Sequence, residues 1–372
     1  MKKKIIALSL AVVTALSLVA CGEADNNNET TTSGQSDLGE KAEIKLGEYK
    51  GLTVYSDDIQ VTDTALESYI NQRLSLDAVT EYRTEGVVAE NDKVKLAYKG
   101  TIDGEEFTGG TSEGAVVTMN STGFTVEGFV DGIIGHSIGE TVELDLKMPE
   151  DYSDEKLKGK AVHFSVKLDS LVVTITPELT DDYVKEEYSG LGMSTVGEFT
   201  EYLKHDLYIN NIYSKIWAGI VENSEVVTYD KEKYDEYFKI VSENNEYTIY
   251  SNYGYTLSEY LSAMAMTQDE WDEQISVYVK STLKEEMVIQ EIANQEKIEI
   301  SDEEFDRKML EYAKLYGYKS VEDFKADYSN ISDEEFQFSV MAYYVQEYVA
   351  EQANVVQGSS SSSENTTASG AE

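Results

Sequence analysis

Val94-Lys95-Leu96-Ala97-Tyr98-Lys99-Gly100, followed at once by Thr101-Ile102-Asp103-Gly104-Glu105-Glu106-Phe107, decides the fold of the middle of the chain. Val94, Leu96 and Tyr98 alternate with Lys95 and Lys99, the period of a strand with one buried face. Asp103-Gly104 is a tight-turn pair, because glycine accepts positive φ, so a second strand runs back through Phe107. Gly109-Gly110 breaks it, and Val116-Val117-Thr118-Met119 resumes extended character. In Val126–Gly135, Phe129, Ile133 and Ile134 mark one side of a short helix that Gly135 stops. Val142, Leu144 and Leu146 alternate after a Gly139-Glu140 turn, and 162–173 closes the sheet. Strands are expected near 93–99, 105–108, 115–119, 141–147 and 162–173.

Tyr98-Lys99-Gly100, Asp103-Gly104-Glu105-Glu106-Phe107-x-Gly109-Gly110, Val126-x-Gly128-Phe129, Gly135-His136-x-x-Gly139-Glu140 and Pro149-Glu150-Asp151-Tyr152 stand in one order along the chain. Each is weak alone. Together they resemble FKBP-type prolyl isomerases, and above all the isomerase domain of trigger factor. The resemblance implies an antiparallel sheet wrapped on a short helix. It also implies a pocket whose walls are Tyr98, Phe107, Val126, Phe129 and Phe164, with Phe129 as the floor and the Val126 N–H as donor to the substrate carbonyl. Thr108, Val116, Ile133 and Tyr152 fall at the rim. Two positions depart from the family: Thr108 stands where aspartate is usual, and Val116 where an aromatic wall is usual. His136 lies in a glycine-bounded turn and reads as a turn residue, not an acid–base group.

The N-terminus reads as a targeting segment. Lys2, Lys3 and Lys4 precede an apolar run, 5–20, too short for a comfortable membrane span. It ends Leu18-Val19-Ala20-Cys21-Gly22, which resembles a bacterial lipoprotein signal with Cys21 as the lipidated residue. The alternative is an ordinary buried cysteine in a signal anchor. Two acyl chains would make a stable anchor where one is marginal. Residues 21–46 read as a disordered tether and 357–372 as a disordered tail, both poor in apolar side chains.

The formal charge is −41, without the Lys/Arg stripe that phosphate binding needs, so nucleic acid is excluded as a partner. The three histidines, His136, His163 and His205, are scattered, and no cluster has metal spacing. No metal or cofactor is expected. One cysteine allows no internal disulfide. Removing 1–20 takes away three lysines and no acid, so the body would be repelled by anionic lipid and held at the membrane by its lipid alone.

A strand at Gly51–Tyr55 and a helix begun by Thr64 and Glu67 precede the sheet, giving a 47–86 linker and an 87–174 isomerase domain. Past Pro177 capping boxes recur ahead of apolar periodic runs, at Thr195/Glu198, Thr256/Glu259, Thr267/Glu270, Ser301/Glu304 and Ser332/Glu335. Asp230 and Ser320 open further helices. Residues 175–356 thus read as a helical domain, and their order resembles the trigger factor C-terminal chaperone domain. The fold class expected is α+β. Tyr247, Tyr250, Tyr253, Tyr255, Tyr260, Met264 and Met266 are either promiscuous contact residues or the cover of a helical core.

The resemblance implies a lipid-anchored, extracytoplasmic foldase acting on unfolded or nascent exported polypeptides with X-Pro bonds. The alternative is a non-catalytic holdase with a degenerate FKBP-like domain, favoured by Thr108 and Val116. A solute-binding lipoprotein would need paired α/β lobes, of which the sequence gives no sign. Trigger factor's Gly-Phe-Arg-x-Gly-Lys ribosome loop has no counterpart here, so a ribosome is not an expected partner.

Overall fold

The computed structural model describes residues 37–120, 122 and 124–360. Cys21, the signal-like segment and residues 361–372 lie outside them. In chain order the elements are β1 (Leu38–Gly39), β2 (Glu43–Lys45), β3 (Thr53–Tyr55), α1 (Asp63–Leu76), β4 (Val79–Arg83), β5 (Lys93–Ile102), β6 (Glu105–Thr118), β7 (Thr141–Lys147) and β8 (Ala161–Ile175). Then come α2 (Asp181–Tyr188), α3 (Val196–Asn223), β9 (Glu225–Asp230), α4 (Lys231–Tyr253), α5 (Leu257–Ala263), α6 (Gln268–Glu296), α7 (Asp302–Leu315), α8 (Val321–Asp327), α9 (Asp333–Glu351) and β10 (Asn354–Val356). They form two compact units, one of residues 73–179 and one of the flanking chain on both sides.

The inner unit is an antiparallel sheet in the order β4-β8-β5-β6, with β7 beside β8. Asp103 (φ 54°) and Gly104 (φ 83°) join β5 to β6, the type I′ pattern whose twist matches a hairpin. The alternation read at 94–98 holds: Val94 and Leu96 are fully buried. The expected strands 105–108 and 115–119 are one strand, because β6 keeps pairing with β5 through register shifts. β4 was not foreseen; it extends the sheet along β8 from Val79↔Ile175 to Arg83↔Leu171.

The expected short helix is a run of turns. Phe129 N–H bonds Val126 O at 3.2 Å, Gly132 N–H bonds Gly128 O at 3.0 Å and Ile134 N–H bonds Val130 O at 3.1 Å. Gly128 at φ 83° and Gly135 at φ 92° stop regular propagation on either side. The run still places Phe129, Val130 and Ile133 in the core with Leu96, Val142, Phe164 and Leu168.

In the outer unit, α3, α6 and α9 share a core of Ile212, Ile216, Ile220, Ile289, Ile292, Val345 and Val349. The five capping boxes all form, each with its Ser or Thr oxygen accepting the N3 backbone N–H. α1 starts earlier than expected: Thr62, not Thr64, accepts the Ala65 N–H at 3.2 Å. Part of the expected tether is ordered. β1 runs parallel to β9 and β2 antiparallel to it, and Leu38, Ile44 and Leu46 supply the apolar contacts. Gly358 and Ser360, in the expected tail, donate backbone N–H bonds to Ser56 Oγ and Asp58 Oδ2. The strands β9 and β10 were not anticipated. Among the described residues no helix is long and apolar enough to cross a membrane.

Glu296, at the end of α6, ties three segments together. It accepts from Tyr49 Oη at 2.6 Å and from Tyr348 Oη, and pairs with Lys50 Nζ at 2.7 Å. Led by the Lys50 hydrogen bond, these partners hold its carboxyl down at about 2, against 4.5 ordinarily. A lowered folded value means that the unfolded chain takes up the proton first. The contribution is therefore complete above pH 4.5 and lost as pH falls toward 2. Glu296→Gln is expected to lower the denaturant midpoint at pH 7, with the gap to the native protein closing through that window. A pH-independent gap would refute the assignment.

Candidate functional site

Tyr98 on β5 and Phe164 on β8 reach the same face of the sheet. Gly100 pairs with Phe164, and a Cβ at Gly100 would stand 2.6 Å from the Phe164 ring. The glycine is thus what lets that ring lie flat across β5. Phe129, on the turn run, meets Phe164 edge-on at 5.3 Å and Tyr98 at 5.9 Å between ring centroids, and Tyr98 meets Phe164 at 6.0 Å. Edge-to-face geometry at these separations is the favoured arrangement of aromatic quadrupoles. Phe129 and Phe164 are buried and Tyr98 is half-buried.

All five expected wall residues belong to one hydrophobic cluster, whereas the expected rim residues do not all reach it. Val126 is buried in the same core and Phe107 is half-buried against it. Phe107 lies over Gly110 of its own strand, where an added Cβ would come within 2.7 Å of the ring. Tyr152 packs against the core's edge. Ile133, expected at the rim, is completely buried, because the turn run directs it beneath the sheet. Thr108 is exposed. Val116 is 53% exposed and lies opposite Lys95, on the other pleat from the buried Val117. Strand alternation therefore takes it away from the core, and it cannot act as the missing wall.

One aromatic was missed. Phe124 stacks on Phe129 with centroids 3.7 Å apart and planes 13° from parallel, and meets Tyr98 edge-on at 5.3 Å and Phe164 at 5.9 Å. The Gly-Phe at 123–124 stood in plain view, but no periodic element contained it.

The polar surroundings are on the surface. His136 Nδ1 contacts Glu140 Oε2 at 2.8 Å, and the His136 hydrogen bond lowers the Glu140 pKa. His163, on the opposite pleat from Phe164, is held by Asp145 at 2.7 Å and Glu143 at 3.0 Å. The Asp145 hydrogen bond leads in raising its pKa. Neither histidine belongs to the aromatic cluster, which offers apolar faces, a phenol and backbone groups. Such a cluster is suited to solvating and orienting a bound group.

An antiparallel sheet closed over a run of turns, with Tyr98 and Phe164 on the sheet's inner face and Phe129 on the turns against them, defines an FKBP-type domain. Residues 85–169 match the family described as FKBP-type peptidyl-prolyl cis-trans isomerase, and residues 210–345 match the bacterial trigger factor protein C-terminus. The trigger factor of Halothermothrix orenii is 33% identical over 290 residues, which make up 77% of this chain and 67% of the relative. That of Macrococcus caseolyticus is 30% identical over 295 residues, 77% and 68% of the two chains. The chain belongs to the trigger factor family.

Proposed function

We propose that this protein is a lipid-anchored, extracytoplasmic foldase that turns X-Pro bonds and holds unfolded segments of exported polypeptides. The observation that carries the isomerase half is the aromatic cluster of Tyr98, Phe129 and Phe164. Rotation about a peptide bond meets a barrier of about 18–20 kcal/mol because of amide resonance, and X-Pro bonds populate both isomers and exchange slowly. A water-poor aromatic pocket favours the twisted amide, which has lost that resonance. The Val126 N–H is assigned to the carbonyl of the residue before proline, a preorganised donor that needs no reorientation during rotation. Phe129 is the floor for the proline ring. No proton or electron pair moves, so the pocket requires no cofactor.

The holding function rests on the outer unit. Tyr247, Tyr250 and Tyr253 recur at three-residue spacing on α4 and are exposed, as are Tyr255 and Met264. Tyr260 is tied down instead, between Tyr253 and Trp271. Flexible or flat apolar groups left at a surface suit weak contact with varied chains. The membrane and export assignment rests on the sequence around Cys21. Cys21→Ala is expected to leave unprocessed precursor and abolish acyl labelling in cells; labelling that persists would overturn the anchor.

The isomerase reading is tested with residues 24–372 and a short Ala-Phe-Pro-Phe peptide, by exchange NMR between its cis and trans forms. Acceleration is expected. Folded protein that gives none would favour the second reading, a non-catalytic holdase. That reading has its own support in the exposed Thr108 and the outward Val116, which leave the pocket without its usual carboxylate and one of its usual walls.

A further inference from the structure

Phe124 occupies the place that the isomerase reading reserves for substrate. Its ring covers the face of Phe129 at 3.7 Å and is flanked edge-on by Tyr98 and Phe164. A proline ring stacked on the same floor would have the same three neighbours, so the two cannot be bound together. Phe124 is also the least constrained of the four aromatics. Tyr98 and Phe164 are fixed by the β5–β8 ladder, and Phe129 by its turn bond to Val126. Phe124 belongs to no strand or helix and is only half-buried. Moving it breaks no ladder.

We propose that Phe124 is a specificity-determining residue of the isomerase site, an internal occupant of the proline subsite that a prolyl substrate must displace. The proposal rests on the isomerase reading given above. An aromatic contact of this kind makes the open form a minority, and a ligand that needs the open form binds more weakly by the fraction open. From the usual strength of aromatic pairs, that fraction weakens apparent affinity by about three- to tenfold. The selection acts at binding. Once the substrate is seated, Phe124 is out of the pocket and the rotation barrier is unaffected. Short or poorly anchored prolyl segments are turned away, while segments that gain contacts elsewhere on the protein compete successfully. The stacked Phe124 also makes up for the absent wall at Val116 by keeping water off Phe129 in the empty site.

The test compares residues 24–372 carrying the native Phe124, Phe124→Leu and Phe124→Ala, using the Ala-Phe-Pro-Phe peptide. Phe124→Ala is expected to lower KM about three- to tenfold with kcat unchanged, and Phe124→Leu to fall between. In parallel, 4-fluorophenylalanine placed at 124 should give a ring-current-shifted fluorine signal that moves to a solvent-like position as peptide saturates. A raised KM in Phe124→Ala would make Phe124 a wall of the pocket and overturn the proposal. So would an unchanged KM, or a fluorine signal that ignores the peptide, while the native protein still catalyses. If neither protein binds or accelerates the peptide, both the occupant and the isomerase reading fall.

Discussion

Phe129→Ala is expected to destabilise the inner unit by about 3–5 kcal/mol and to remove any prolyl isomerisation with it. Phe129 is completely buried. From the turn run its ring touches the preceding loop, β5 and β8, with Tyr98, Phe124 and Phe164 all within 6 Å of it by ring centroid. Truncation forfeits the transfer free energy of the ring and leaves a cavity that its neighbours fill only in part. Phe164 cannot shift far, because Gly100 and the β5–β8 ladder fix it. Phe124 can drop into the space, since no ladder holds it, and that relaxation favours the lower end of the range. Thermal or urea unfolding measures the loss. A loss below about 1 kcal/mol would mean that the cluster is not packed as described. Phe129→Leu separates the two roles: it keeps most of the buried volume, so the unit stays folded, but it removes the flat floor and the isomerase activity should fall regardless.

The inner unit was legible because it is built from local signals. Val94, Leu96 and Tyr98 alternate, and Asp103-Gly104 can join two strands in only a few ways. The helix starts were legible for the same reason, since a Ser or Thr with Glu three residues on satisfies two orphan donors at once. Misreadings arose where the outcome depends on partners distant in sequence. Nothing in Leu38–Lys45 announces a strand; these residues are extended because β9, nearly two hundred positions later, offers edges to pair with. The run at 126–135 has helical spacing of Phe129, Ile133 and Ile134, but Gly128 and Gly135 take positive φ and leave only turns.

The site was read in part. Tyr98, Phe129 and Phe164, named together from the sequence, lie within 6.0 Å of one another by ring centroid. Val116 did not, and the pleat explains it: with Val117 facing the core, its neighbour must face away. Phe124 was overlooked because a lone aromatic in a loop carries no period, and its stack on Phe129 exists only once the sheet has formed. Thr108 shows the opposite limit. It stands exposed on β6, where the family has a carboxylate facing the pocket.

Glu311→Leu is expected to cost the outer unit about 3–5 kcal/mol, whereas the double change Lys308→Met with Glu311→Leu should be close to neutral or stabilising. Lys308 and Glu311, one turn apart on α7, form an ion pair whose side chains are only 4% and 9% exposed. The Lys308 ammonium also lies 3.1 Å above the Tyr343 ring centroid. Burial dominates and lowers the lysine pKa, while Glu311, Asp206 and Glu347 oppose it. Taking two charges from water costs several kcal/mol each, which their attraction repays only while both are present. Removing Glu311 alone leaves a buried cation without its nearest carboxylate; removing both takes that cation away and adds apolar contact, less what Glu347 loses when the lysine that lowers its pKa is gone. The pH dependence follows from the direction of the shift. A lysine whose folded pKa is below 10.5 is bound by more protons unfolded than folded across that interval, so stability rises with pH there. Without Glu311 the interval widens downward, because a partner that raised the folded pKa is gone. The deficit of Glu311→Leu should therefore shrink as pH is raised through it, while the double variant shows no such recovery. Unfolding curves of the three proteins at several alkaline pH values decide the matter. A double variant as unstable as the single one would show that packing, not the stranded charge, sets the cost.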